Sequence, residues 1–274
     1  MNKKIYAAKI KYKGDMAVDY DKKRSKRKKW KREMAAVEAI VSDFEAGASI
    51  VDVPMGTGRF LPFYTKGGHP VLGLDISMDM LQQAAGRAKK LTNSTESEKN
   101  RINMVIGDAE ALPLSNKSID YVICIRLLNW VTEPISEKIL VEFQRVARKG
   151  IIIGFRSLHD MTFGDYIRMG VVDLVPTPRH ISRWVKSTLR FARRQGGRIK
   201  RGVVNIIAGK EKQSNTPKPG FKGRTLYDEA KMIHFFSEIG MRVCETFPID
   251  RVASYWQKKV DSYSIYSLKF GTFL

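Results

Sequence analysis

Three acidic residues and a glycine turn have the types and spacing needed to bind a nucleotide-like ligand. Asp52 ends an apolar run and precedes a turn that contains Gly56 and Gly58, and Asp75 and Asp108 follow later apolar runs. Glycines in a strand-to-helix turn allow a ligand close to the backbone, and the following helix presents unpaired N–H groups to it. Most turns of this kind only connect a strand to a helix. The distances between the acidic residues are therefore needed to indicate a ligand.

The position of the second acid indicates what kind of ligand the turn could hold. Asp75 lies 23 positions after Asp52, where a carboxylate can accept both hydroxyl groups of a ribose. This spacing fits NAD and S-adenosylmethionine equally well. A dinucleotide turn has a third glycine, but this chain has Leu61 at that position, and no Lys-Ser/Thr pair for a triphosphate follows. A cofactor without phosphates therefore fits better.

These residues are positioned by alternating strand-like and helix-like runs. Strands are predicted at residues 48–53, 71–75, 102–106, 118–125, 150–155, 241–247 and 262–269. Helices are predicted at residues 28–44, 58–66, 78–91, 136–146 and 226–239. This alternation predicts an α/β fold with a doubly wound, Rossmann-like, mostly parallel seven-stranded sheet, helices on both faces and ligands at the carboxyl ends of the strands.

The positive charge of the chain is concentrated in two segments. The net charge is +21, and residues 1–33 hold 14 Lys and Arg against 4 Asp and Glu, while residues 158–224 hold 15 against 4. Such segments usually contact something anionic, although a solvated charged surface is the alternative. We therefore expect a basic lead-in with a helix at 1–47 and a main domain at 48–274, with a basic insertion at 158–224 after the fifth strand.

Residues 48–156 resemble the core of a class I S-adenosylmethionine-dependent methyltransferase. The resemblance rests on four segments in order: VDVPMGTGRF at 51–60, LGLDIS at 72–77, GDAEALPL at 107–114 and SIDYV at 118–122. It implies S-adenosylmethionine as cofactor and S-adenosylhomocysteine as product. The implied cofactor-binding residues are Tyr20, Asp52, Pro54, Gly56, Gly58, Asp75, Ile76, Asp108, Ala109 and Arg126.

Within that set the family pattern implies separate roles. Asp52 and the glycine turn would contact the methionine moiety, Asp75 the ribose hydroxyls, and Asp108 with the Ala109 N–H the adenine edge. Pro54 departs from the family, which usually has the first glycine of D-x-G-x-G-x-G there, and we expect a stiffer turn that still binds.

The lead-in also resembles the family. The segment AVDYDKKR at 17–24 is similar to the A-x-x-Y-D-x-x-R stretch that often precedes the core and folds over the cofactor. Tyr20 would then close the methionine end of the site, and the alternative is that it only packs beneath the lead-in.

Three residues near the ends of the fourth and fifth strands are candidates for catalysis. Methyl transfer from a sulfonium needs mainly positioning and exclusion of water, and a general base only if the nucleophile arrives protonated. Asn129 could orient a substrate, Arg126 could pair with an anionic group, and His159 is the base candidate by position. A surface or capping role for His159 is the alternative.

The acceptor is predicted only as a class. Residues 179–194 have an apolar helical face flanked by basic residues, which favours an anionic membrane surface, and thus a phosphorylated or lipid-linked envelope saccharide or a lipid. RNA, a small metabolite and a non-enzymatic scaffold that docks partners through basic arms stay open. We expect no metal and no secretory signal, hence a cytoplasmic protein that could lie peripherally at the inner face of the membrane. The oligomeric state is not predicted.

Overall fold

The strand-like runs pair into one sheet. The structure is a computed structural model, and it describes residues 14–91, 101–160, 225–254 and 259–270. Its strands are β1 Ile50–Asp52, β2 Val71–Asp75, β3 Ile102–Ile106, β4 Ile119–Ile125, β5 Ala147–Asp160, β6 Tyr227–Asp228, β7 Met241–Ser254 and β8 Lys259–Phe270. The order is β3-β2-β1-β4-β5-β8-β7, with the short β6 beside β5.

The first five strands run parallel, and the last strand is reversed. Val51 of β1 pairs with Leu72 of β2 on one side and with Val122 of β4 on the other. The strand β8 is antiparallel to both β5 and β7. The chain order reverses at β1 and β4, so their carboxyl ends open into the crevice where ligands bind in doubly wound folds.

Helices cover both faces of the sheet. They are α1 Asp15–Val18, α2 Tyr20–Arg24, α3 Lys28–Ser42, α4 Leu61–Lys66, α5 Met78–Leu91, α6 Glu133–Val146 and α7 Glu229–Glu238, with a 3-10 turn at Leu128–Trp130. Strand residues alternate between two cores: Ile151 and Ile153 pack with α6 and α7, whereas Ile152 packs with α3, α4 and α5. This alternation is that of a sheet buried on both faces.

The predicted fold class is confirmed, with differences in detail. The strand β5 extends to Asp160 because β8 pairs with it from Gly150 to Asp160, so residues 158–160 belong to the sheet and not to an insertion. The remaining insertion, including the predicted basic helix at 179–194, lies outside the described residues. Both cysteines lie in predicted strands, but Cys124 is buried whereas Cys244 is exposed. In the described ranges no helix is long and apolar enough to cross a membrane.

Candidate cofactor and active site

The turn after β1 uses its two glycines for different purposes. Gly56 has a φ of 58°, and a Cβ built there would meet no atom within 4 Å. Gly58 has a φ of 66°, and its Cβ would lie 2.7 Å from Leu61 Cδ1 and 3.0 Å from the Ala84 Cβ. Gly56 therefore leaves open space over the backbone, whereas Gly58 allows α4 and α5 to pack closely.

Asp75, at the end of β2, is held by backbone donors. Its Oδ2 accepts a hydrogen bond from the Gly56 N–H at 2.8 Å, and its Oδ1 accepts one from the Ser77 N–H at 2.9 Å. Burial raises the pKa of this carboxyl above its ordinary value, and the backbone hydrogen bonds partly oppose that shift. The carboxylate is thus fixed beside the glycine turn.

Two adjoining cavities open at this edge of the sheet. The larger, of about 330 Å³, is lined by the glycine turn, the lead-in and the end of β4. The smaller, of about 50 Å³, is lined by Gly107, Asp108 and Ala109. Residues common to both are Pro54, Asp75, Ile76, Leu127 and Trp130. The arrangement is one cleft with a side pocket next to Asp108.

Eight of the ten predicted cofactor-binding residues line one or both of these cavities. Tyr20, Pro54, Gly56, Asp75, Ile76 and Arg126 line the larger cavity, and Asp108 and Ala109 line the smaller one. Asp52 and Gly58 line neither cavity. Asp52 is buried beneath the turn, where it accepts a hydrogen bond of 3.1 Å from the Tyr64 hydroxyl. Burial raises the pKa of Asp52 to about 7, against the opposing effects of Tyr64 and Arg59.

The lead-in is tied to the glycine turn. Asp21 of α2 accepts a hydrogen bond of 2.8 Å from the Thr57 hydroxyl and forms an ion pair with Arg87 of α5. Tyr20 lies beside it in the cavity wall, with the Arg24 guanidinium 3.7 Å from its ring centroid. Tyr20 thus lies in the cleft wall, and Asp21 and Thr57 tie its helix to the glycine turn.

A buried ion network behind the cavity wall was not predicted. Glu33 of α3 accepts hydrogen bonds from Arg59 at 2.8 Å and from the Nε of Arg126 at 2.9 Å. A second Arg126 donor lies 2.5 Å from Oε2 of Glu33. Arg126 has a φ of 73°, which is unusual for a residue with a side chain. Within the sequence, the one indication of this network is that the charged residue Glu33 shares a helical face with the apolar residues Trp30 and Val37.

Two of the three catalytic candidates, Asn129 and Arg126, line the larger cavity. Asn129 is buried and lines the cavity, and its Oδ1 accepts a hydrogen bond of 2.8 Å from the Arg156 N–H. Its amide nitrogen has no hydrogen-bond acceptor among the described residues. The backbone of His159 lies within β5, opposite Val260, and not beyond the end of that strand as predicted.

The residues present fit S-adenosylmethionine. The open space over Gly56 suits a close ligand, the carboxylate of Asp75 suits ribose hydroxyls, and the pocket beside Asp108 suits a flat heterocycle. In the described part of the chain no group of three or more His, Cys, Asp or Glu residues could hold a metal ion.

The strand order, the reversed β8, the glycine turn and the acid after β2 define a class I methyltransferase fold. Residues 50–150 match the family described as a methyltransferase domain. The chain therefore contains a class I S-adenosylmethionine-dependent methyltransferase domain, with S-adenosylmethionine as its cofactor.

Two methyltransferases are similar to this chain in sequence. A malonyl-(acyl-carrier protein) O-methyltransferase of Hamiltonella defensa is 31% identical over 109 residues, 40% of this chain and 37% of the relative. A demethylmenaquinone methyltransferase of Renibacterium salmoninarum is 31% identical over 140 residues, 51% of this chain and 52% of the relative. The chain thus spans about half or less of these relatives.

A solved structure agrees in fold over most of the chain. The magnesium protoporphyrin IX methyltransferase of Synechocystis PCC 6803, with bound S-adenosylhomocysteine, superposes with a TM-score of 0.56 at 13% identity. The superposition covers 95% of this chain and 97% of that one. At this identity the likeness establishes the fold and leaves the acceptor open.

Proposed function

We propose that this protein transfers a methyl group from S-adenosylmethionine to an anionic acceptor. The observation that carries the proposal is the charge of the larger cavity. Its cationic lining residues are Arg24, Arg27, Lys29, Arg59, Arg126 and Arg156. Among the described residues that line it, Asp75 is the one carboxylate. Because Glu33 offsets only part of this charge from behind the wall, an acceptor that carries negative charge suits the cavity.

The chain's own contribution to the reaction is positioning. Bound S-adenosylmethionine supplies an electrophilic methyl group on a sulfonium. Trp30, Trp130 and Phe60 give the cavity apolar walls that exclude water. The amide nitrogen of Asn129 orients the acceptor by donating a hydrogen bond, with its oxygen fixed by the Arg156 N–H.

A general base is needed only for a protonated nucleophile. His159 is the candidate that we propose for that case, and Arg126 is proposed to attract the acceptor's negative charge. If His159 is the base, the variant His159→Asn loses the acidic limb of the pH–rate profile. A profile that keeps its shape removes His159 from the mechanism.

The curated relatives favour a small-molecule acceptor over RNA. Their names give demethylmenaquinone and malonyl-(acyl-carrier protein) as what they act on. Within that class we propose a phosphorylated or lipid-linked saccharide, or another lipid, at an anionic membrane surface. The proposed binding to a membrane surface depends on the basic segment 179–194. Flotation with anionic and neutral liposomes tests it: deletion of 179–201 should abolish binding to the anionic vesicles, and unchanged binding overturns it.

The acceptor class is tested by transfer of a labelled methyl group into a cell extract. The extract is separated into lipid, saccharide, RNA and small-molecule fractions, and each is divided by anion exchange. We expect label in a fraction retained by the anion exchanger, and none with the Asp75→Ala variant. Label in an unretained fraction contradicts the anionic acceptor, and label in ribonuclease-sensitive material moves the assignment to RNA.

A further inference from the structure

One buried carboxylate joins the two halves of the cavity wall. Glu33 is fully buried, and the side chains of Arg59 and Arg126 are 8% and 23% exposed. Arg59 follows the glycine turn and Arg126 follows β4, so Glu33 of α3 connects the lead-in helix to both. The aromatic ring of Trp30 adds to the network, with its centroid 4.5 Å from the Arg59 guanidinium and 5.8 Å from that of Arg126.

The Glu33 carboxyl of this network is held in its ionised form by the two arginines. Burial raises the pKa of Glu33, but the two guanidinium groups outweigh burial and hold the pKa below its ordinary value. The carboxyl is therefore ionised at neutral pH. Both arginines line the cavity, whereas Glu33 contacts them from behind.

The cofactor has an uncommon charge requirement. S-adenosylmethionine carries a positive sulfonium that its product S-adenosylhomocysteine lacks, so positive potential in the cavity disfavours the substrate relative to the product. At an effective dielectric constant of about 20, a unit charge about 10 Å away changes the affinity for a cation by about tenfold. The buried carboxylate of Glu33, next to the two arginines of the cavity wall, lowers the positive potential and so opposes this loss of affinity.

We propose that Glu33 is a positioning residue and counter-ion of the cofactor site: it holds Arg59 and Arg126 in place and lowers the positive potential that the sulfonium meets. The inference rests on the proposed function, because it concerns the binding of S-adenosylmethionine. Since Glu33 lies on α3, the same contacts make the charge of the site depend on docking of the lead-in.

The test is the ratio of two dissociation constants, measured by calorimetry for S-adenosylmethionine and S-adenosylhomocysteine. Glu33→Gln removes one negative charge, so S-adenosylmethionine should weaken about tenfold more than S-adenosylhomocysteine. Arg126→Gln removes one positive charge and leaves Glu33 paired with Arg59, so the ratio should move about tenfold the other way. Glu38→Gln is the control, because Glu38 lies on the same helix and is about half exposed; its ratio should match that of the wild type.

A role for Glu33 in folding alone would lower both affinities equally and leave the ratio unchanged, which overturns the inference. If Glu33→Gln unfolds, the shift in Arg126→Gln decides alone, and an unchanged ratio there rejects the proposal. Failure of the wild type to bind either ligand counts instead against the proposed function.

Discussion

The backbone N–H of Gly56 donates a hydrogen bond of 2.8 Å to the carboxylate of Asp75. This bond links the turn after β1 to the end of β2, two strands that lie side by side in the sheet. It fixes the orientation of the carboxylate within the folded chain, so less side-chain ordering is required when a ligand binds. The glycine turn and the acid thus act as one unit, although 19 positions separate them.

Substitution of the two glycines should separate binding from stability. Gly58→Ala places a methyl group 2.7 Å from Leu61 in a left-handed backbone, so we expect destabilisation by about 2 kcal/mol or more. Gly56→Ala has open space around the methyl group, so it should cost about 1 kcal/mol of strain and lower cofactor affinity by occupying the cleft.

Thermal unfolding and calorimetric titration with S-adenosylhomocysteine measure the two effects. We expect Gly58→Ala to lower the melting temperature more than Gly56→Ala does. Relative to its loss of stability, Gly56→Ala should lose more affinity for the ligand than Gly58→Ala. The reverse order would contradict the assigned roles.

Asp52 should make stability fall as the pH rises. Its pKa is about 7 in the folded protein, above its ordinary value of 3.8, so the folded state favours the protonated form. The resulting stabilisation is complete below about pH 4 and is lost as the pH rises through 7, with a total of about 4 kcal/mol. Asp52→Asn keeps an oxygen for the Tyr64 hydroxyl but cannot ionise.

Chemical denaturation between pH 5 and 8 checks this prediction. The stability of Asp52→Asn relative to the wild type should increase with pH across that range. Parallel profiles would mean that Asp52 does not titrate there. Groups that do not interact with Asp52 contribute equally to both proteins and cancel in the difference.

Two buried tyrosines should respond oppositely to loss of their hydroxyl groups. The hydroxyl of Tyr263 is buried and has no hydrogen-bond partner among the described residues. Tyr263→Phe should therefore leave stability unchanged or raise it by up to about 1 kcal/mol. Tyr64→Phe is the matched comparison, because the Tyr64 hydroxyl donates to the buried Asp52, and we expect a loss of about 1–3 kcal/mol. A comparable loss in Tyr263→Phe would show that its hydroxyl is hydrogen-bonded in solution.

Local sequence patterns predicted several elements to the residue. The bounds of β2, α5 and β3 match because turn and capping residues such as Gly68 and Ser77 flank them. The length of β5 could not be predicted locally, since it is set by pairing with β8 about a hundred positions later. The two-residue β6 is too short for any periodicity to indicate.

The residues of the site could likewise be predicted only where a local motif contains them. Asp75 and Asp108 are predicted from the motifs that contain them, and both line the cleft. The Glu33 network depends on partners 26 and 93 positions away, so no spacing rule within α3 predicts it. Asp52 matches the motif, yet burial and the Tyr64 hydroxyl keep it beneath the turn, a contact that only the folded chain defines.

Calorimetric titration with S-adenosylmethionine, comparing the wild type with Asp75→Ala and the control Asp43→Ala, tests the central claim most directly. Asp43 is exposed at the end of α3, so its variant should bind as the wild type does. Asp75→Ala removes the carboxylate at the end of β2 and should bind at least about tenfold more weakly. Equal affinities in all three proteins, or no binding by the wild type, would contradict the assignment of this cleft as the cofactor site.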